Sequence, residues 1–449
     1  MSASSSTAPH DVTRGFLSSV FQIIECVDDL PGPGADMDDW THIYFNLPTF
    51  EVMGHLCLPR AESIVFGPDV QMINEFTFGV GDHTIHIKQV AFWGPDTVIG
   101  DGSFARCVHL HTVQLPGNLR IVSPKTFCGC ELLQNVYMPL GLERIETHAF
   151  CNCAELKDVE IPPTVTFIGQ AAFSGCGSVL SIVLPSRVEL ASRSFERCTK
   201  LQSIHFVPID TPTITEIPTM AFAHCSNLRT VVLPPSVADI GECAFFNCQK
   251  LEDFTATNMC TVGKHAFAYC HCLEAFDHPT VKFIAEGAFY NCCALSLLVI
   301  PLAINIVGGT FVNTRVRCLV FGDGLQSISL KNFYNDPISY VTCPEKFLSV
   351  FAIDRAIKPH TVKVYAGESS IIEAHKHRYI SWRVRVTVPV EFMLSFLCSI
   401  NRSSTNSRSI NRKAQFLPPI PNELVWNILS FVQVAHTHKE DDCDRAHSD

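Results

Sequence analysis

One phenylalanine recurs through this chain at a nearly constant interval, and that interval dictates what the polypeptide can fold into. Phe104, Phe127, Phe150, Phe173, Phe195, Phe222, Phe245, Phe267, Phe289, Phe311 and Phe333 are separated by 23, 23, 23, 22, 27, 23, 22, 22, 22 and 22 residues. Three residues after each of the first nine anchors stands a cysteine, at Cys107, Cys130, Cys153, Cys176, Cys198, Cys225, Cys248, Cys270 and Cys292; in the tenth unit Thr314 replaces it. An apolar residue follows at anchor plus six, from Leu110 and Leu133 to Leu295, and another at plus nine, from Val113 and Val136 to Leu298. A pair such as Leu115-Pro116, Leu184-Pro185 or Leu233-Pro234 often comes next, and a second apolar step (Leu142, Ile145 and Ala149, or Val237, Ile240 and Ala244) leads to the following anchor.

A coil of this length cannot bury its own apolar side chains, whereas stacked coils share one continuous core. Alternation around plus nine implies a short strand there, and the proline after it removes a backbone donor and ends the ladder. A period of 20 to 29 residues with alternating Leu and Val and a recurring Cys is a leucine-rich-repeat signature. The chain is therefore read as a repeat solenoid built mainly of short β-strands and turns, with a small helical element near the C-terminus. The unit F-x-x-C-x-x-L-x-x-V-x-L-P-x-x-L-x-x-I-x-x-x-A-F resembles the BspA-like leucine-rich repeat family, known from bacterial surface proteins and expanded in several protists. The resemblance spans about Phe104 to Phe333 and implies a solenoid that binds proteins or surfaces and carries no catalytic residues. The fifth unit departs from the pattern through a four-residue insertion around Val207–Thr215, expected to bulge as a loop.

Four segments are expected. Residues 1–100 form an N-terminal cap with degenerate repeats, because an open solenoid needs its ends covered. Residues 101–335 form the repeat solenoid, and 336–400 a C-terminal cap of strands and then a helix. Residues 401–449 hold a Ser/Asn-rich basic linker, a short amphipathic helix and an acidic tail. In that helix Leu424, Ile428 and Phe431 fall on one face. Pro421, Glu423, Leu424, Ile428, Leu429 and Phe431 resemble the first helix of an F-box, which would imply a substrate receptor for ubiquitin-dependent turnover. The other reading of the stripe is a lone helix docking on the solenoid end or on a partner.

With 47% apolar and 17% charged residues the composition suits a chain that buries most side chains between coils. A net charge of −11 gives no global attraction to nucleic acid or to an anionic membrane. No apolar run reaches the length that spans a bilayer. The stretch Phe16–Val27 carries Glu25 and lacks a basic lead-in, so it fits a secretory signal poorly.

The cysteine column comes one per coil, so its members stack instead of converging on one point as zinc ligands do. They are read as buried free thiols that pack like small hydrophobes, which suits a reducing compartment. Off the column, Cys243, Cys260, Cys293 and Cys318 have no evident base beside them. No phosphate loop, HExxH or GxSxG is present. No catalytic residue, metal site or cofactor is assigned. The expected function is a non-catalytic protein-binding scaffold in the cytoplasm, the alternative to which is an extracellular or cell-surface adhesin. Residues beside plus nine should face outward, and among them Asp158, Glu160, His205, Asp253 and Asp277 are the candidate partner-binding groups, with Leu424, Ile428 and Phe431 at the C-terminal stripe.

Overall fold

In the computed structural model the chain divides into two compact units, Met1–Ala374 and His375–Asp449. The structure describes residues 22–24, 41–46, 49–50, 61–78, 86–157, 159–207, 213–322, 324–328, 340–343 and 363–366, all within the first unit. Among these residues there is no helix, and the architecture is a parallel β-solenoid.

Most coils contribute two strands, although the coil of Val159 has only the short one, Phe167–Ile168, among its described residues. The longer one lies at plus nine, as in Thr112–Gln114, Asn135–Tyr137, Ser203–Val207 and Thr230–Val232. These pair in register and in parallel, Val113 opposite Val136 and Ile204 opposite Val231. The second strand has two residues, as in Ile121–Val122, Arg144–Ile145 and Phe167–Ile168, and forms its own parallel stack. This second sheet is where the sequence shows only an apolar step. The inward residue of each pair, such as Val122, Ile145 or Ile168, is buried and its neighbour faces out. The strands His42–Phe45, Ser63–Phe66 and Gln89–Phe92 pair in the same long-strand sheet as Thr112–Gln114, so the paired coils begin well before residue 101.

The anchor phenylalanines sit on the third side of the coil, in turns. Their rings stack from Phe78 through Phe311, neighbouring centroids 5.2–5.6 Å apart and within 13° of parallel. Each anchor N–H donates to the carbonyl of the residue before the next anchor, as from Phe127 to Ala149 and from Phe222 to Ala244 at 2.8 and 2.9 Å. That preceding residue is always small and buried, for example Ser103, Thr126, Ala149 or Ala266. A larger side chain there would displace the ring stack.

The turns depend on left-handed backbone. Two residues before and two after the anchor φ is positive, whether the residue is glycine (Gly129, Gly175) or not (Lys125, Arg197, Met220, Tyr269). Non-glycine residues adopt this conformation only where surrounding structure imposes it. Here the inter-coil bonds impose it: the N–H of Met220 donates to Glu242 and that of Tyr269 to Tyr290.

The cysteine column closes the same corner. All nine thiols are free and buried. Each Sγ donates to the carbonyl of the preceding coil's anchor, from Cys130 to Phe104 at 3.1 Å to Cys292 to Phe267 at 3.0 Å, and from Cys107 to Phe78 at a longer 3.7 Å. The side chain thus gives a second hydrogen bond to a carbonyl that already accepts the backbone N–H of its own coil's cysteine, as Phe127 does from Cys130 at 3.2 Å. Burial pushes the Cys107 thiol up to about 12, so it stays protonated and able to donate. Where Thr314 replaces cysteine, its hydroxyl turns back to the carbonyl of its own anchor, Phe311, at 2.8 Å. The insertion after Phe195 follows the strand Ser203–Val207, and its residues 208–212 lie outside the described residues.

Candidate functional site

The outer face of the long-strand sheet is set by the pleat. In each strand the plus-nine side chain points into the core, and its neighbours at plus eight and plus ten point away. Of the candidate residues on this face, Glu160, His205 and Asp253 are exposed. Asp277 is half-buried, and its loss of water raises its carboxyl above the usual range. His205 Nε2 lies 3.1 Å from Ser203 Oγ on the same strand. Asp158 lies outside the described residues, as do Leu424, Ile428 and Phe431, and with them the helix read as F-box-like.

The charged candidates are spaced along the face and do not converge. The plus-ten column mixes polar residues (Gln114, Glu160, His205, Thr255 and Asp277) with exposed apolar ones. Tyr137 is 62% exposed, Val183 49% and Val232 56%, with Glu160 and His205 between them. Val183 is opposite His205 in the parallel register. Toward the N-terminal coils the same column continues as Tyr44, Val65 and Ala91, which form a hydrophobic cluster separate from the solenoid core. The Trp93 ring, 48% exposed, lies 5.4 Å from that of Tyr44. A Cβ on Gly67 would meet Asn46 Oδ1 and the Tyr44 hydroxyl, so a larger residue there would shift both side chains. Large apolar side chains aligned on one face of a rigid sheet form a surface that gains from being covered.

A second surface lies on the turn side and has no counterpart in the sequence reading. His224, Phe246, Tyr269 and Tyr290 come from successive coils and meet edge to face, with centroids 5.3, 5.4 and 5.6 Å apart. They stand alternately two and one residues after their anchors, so no single position of the repeat marks them. Asn247 Nδ2 approaches His224 Nδ1 at 3.2 Å, and Asn291 Nδ2 approaches His271 Nε2 at the same distance. This strip is half-buried and already internally bonded, which distinguishes it from the open plus-ten column.

One histidine, His278, is part of the core. His278 occupies the core position that leucine holds in other coils, its Nδ1 3.1 Å from the carbonyl of Ala256 and its ring edge-on to Phe254 and Phe276. Burial pushes its pKa down to about 4. Among the described residues no three His, Cys, Asp or Glu side chains gather as a metal would require. Nor is any helix there long and apolar enough to cross a membrane.

The family model of the BspA type Leucine rich repeat region matches residues 57–177, 97–227, 189–311 and 254–351, with six copies. Among solved structures, a leucine-rich repeat protein from Bacteroides ovatus is 21% identical over 78% of this chain and 93% of its own, with a TM-score of 0.50. A T. pallidum leucine-rich repeat protein is 27% identical, covers 43% of this chain and 80% of its own, and has a TM-score of 0.34. The pneumococcal vaccine antigen PcpA is 15% identical, covers 68% and 78% and has a TM-score of 0.37. No curated protein matches the chain.

Proposed function

Since the chain belongs to the BspA-type leucine-rich-repeat family, we propose that it is a non-catalytic protein-binding scaffold that engages its partner through the outer face of the long-strand sheet. The observation that carries this reading is the set of exposed apolar side chains Tyr137, Val183 and Val232 at the same outward position of the long-strand side. Val183 and Val232 lie on one sheet whose backbone bonds are already made within the solenoid. Binding energy at protein interfaces concentrates in a few aromatic and apolar anchors, with polar neighbours excluding water. Glu160, His205 and Asp253 are placed to serve as that polar rim and to set the orientation of the partner.

Because each coil touches only its neighbours, the outer face stays fixed while the partner docks, and little ordering entropy is lost on this side. A photo-crosslinking residue placed at Val183 or Val232 should capture the partner, whereas one at the equally exposed Phe283 on the short-strand face should not. Crosslinks from Phe283 alone would overturn the assignment of the face. For compartment, the nine thiols that donate to carbonyls favour a reducing one, which supports a cytoplasmic placement. Protection of a tagged chain from protease added to intact cells would agree with it, and digestion there would replace it with a cell-surface role.

A further inference from the structure

Two of the cysteines outside the buried column stand next to each other. Cys128 and Cys151 each follow their anchor by one residue, in consecutive coils. Their turns are tied together on both sides, the N–H of Phe127 donating to Ala149 at 2.8 Å and that of Gly129 to Cys151 at 2.7 Å. The adjoining Phe127 and Phe150 rings, 5.4 Å apart, give the local separation of the coils. Hydrogen-bonded neighbouring backbones in such a stack lie about 4.7–4.9 Å apart, inside the ~4.4–6.8 Å range of Cα separations found across disulfides. The two cysteines occupy equivalent positions of adjoining coils, and both are partly exposed. They differ in this from Cys130 and Cys153, which are fully buried and committed to carbonyls.

We propose that Cys128 and Cys151 form a thiol–disulfide exchange site, in which a small disulfide of the glutathione class oxidises the pair to a reversible bond between neighbouring coils. The surroundings assign the two roles. Interaction with the Cys151 thiol lowers the Cys128 thiol to about 7, and the cations Lys125 and Arg106 act in the same direction. Cys151 is pushed up by that same interaction, by burial and, more weakly, by Glu196. Cys128 is therefore the thiolate that attacks, since the thiolate is the nucleophile. Its sulfur bonds to one sulfur of the small disulfide and expels the other as a thiolate. Cys151, giving up its proton, then attacks the Cys128 sulfur and expels the second small thiolate. In total one small disulfide and two protein thiols become one protein disulfide and two small thiols. The closed bond lies on the solenoid surface and leaves the carbonyl bonds of the inner column intact.

The test uses the full chain, equilibrated in buffers of graded reduced-to-oxidised glutathione ratio, quenched in acid, alkylated and mapped by fragment ions that separate Cys128 from Cys130 and Cys151 from Cys153. The expected product is a Cys128–Cys151 bond that forms and is lost reversibly with the ratio. Cys151→Ser should accumulate a mixed disulfide on Cys128, several-fold more than Cys128→Ser accumulates on Cys151. Lys125→Met should raise the pH midpoint of Cys128 alkylation. Three results would overturn the proposal: a bond from either residue to Cys130 or Cys153, glutathione only on the exposed Cys293, or equal mixed-disulfide yields from the two serine variants.

Discussion

Truncating one ring in the middle of the phenylalanine stack should cost far more than its local position suggests, and should split the molecule's unfolding. Phe222 is fully buried and lies between Phe195 at 5.5 Å and 4° and Phe245 at 5.6 Å and 13°. Removing a buried Phe to Ala costs about 3–5 kcal/mol in cores that cannot collapse. Each stacked contact supplies roughly 0.5–1.5 kcal/mol beyond burial, so about 1–3 kcal/mol of the loss comes from the two neighbours. Phe222→Leu keeps most of the apolar volume and should lose only that stacking share. Since whole domains are stable by about 5–15 kcal/mol and coils couple only to neighbours, Phe222→Ala should uncouple the two halves. Urea unfolding followed by far-ultraviolet circular dichroism should then show two transitions where the wild type shows one, with Cys225 and Cys248 becoming alkylatable in the first. A loss below about 1 kcal/mol for the alanine variant, or the same loss for leucine and alanine, would refute the view that stacked rings carry the coil-to-coil coupling.

Three further expectations concern individual side chains. His278 is held neutral with its pKa near 4 against an ordinary 6.5. Between these values the unfolded chain binds a proton that the folded chain does not, so stability is full above pH 6.5 and falls as the pH drops, by about 2 kcal/mol at pH 5. His278→Leu should flatten that part of the acid limb in pH-dependent denaturation, and an unchanged slope would contradict it. Met220, with φ of 56°, should accept glycine with a change within about 1 kcal/mol, whereas Met220→Val should cost about 1–3 kcal/mol; a valine variant as stable as wild type in thermal melts would show that the left-handed turn is not imposed. A thiol reagent applied to native protein should modify the exposed Cys293 and the partly exposed Cys128 and leave the nine column cysteines unreacted until denaturant is added. Rapid native labelling at Cys198 or Cys225 would show the column open to solvent.

The core was legible because its signals are periodic and chemically narrow. Only an aromatic fits the stack at Phe104 through Phe311, and only a small donor fits at Cys107 through Cys292, so both columns appear as fixed letters. The strand at plus nine followed from alternation, as in Thr112, Val113 and Gln114. The left-handed turns were not legible, because Lys125, Arg197, Met220 and Tyr269 carry no preference for that conformation and are held in it by bonds to the next coil. The two-residue strands escaped for a related reason: a pair such as Arg144–Ile145 is too short to alternate, and only stacking makes it a sheet. On the outer face every coil has the same outward positions, and periodicity alone does not rank them. The reading favoured charge at Glu160, His205 and Asp253, whereas the structure shows exposed apolar groups at Tyr137, Val183 and Val232 sharing their face. The aromatic strip of Phe246, Tyr269 and Tyr290 was missed because its members alternate between two positions of the repeat, so no single column reveals them.

The assignment of the outer sheet face as the binding surface is tested most directly by measuring the affinity of a crosslinked and identified partner for three forms of the full chain. Val183→Glu with Val232→Glu introduces charge at two exposed apolar positions of the plus-ten column and leaves the core untouched, while Phe283→Glu does the same on the short-strand face. The account predicts at least a tenfold weaker Kd for the double variant, equivalent to about 1.4 kcal/mol or more, with Phe283→Glu indistinguishable from wild type and all three unfolding at the same urea concentration. Wild-type affinity in the double variant, or a comparable loss in Phe283→Glu, would contradict it.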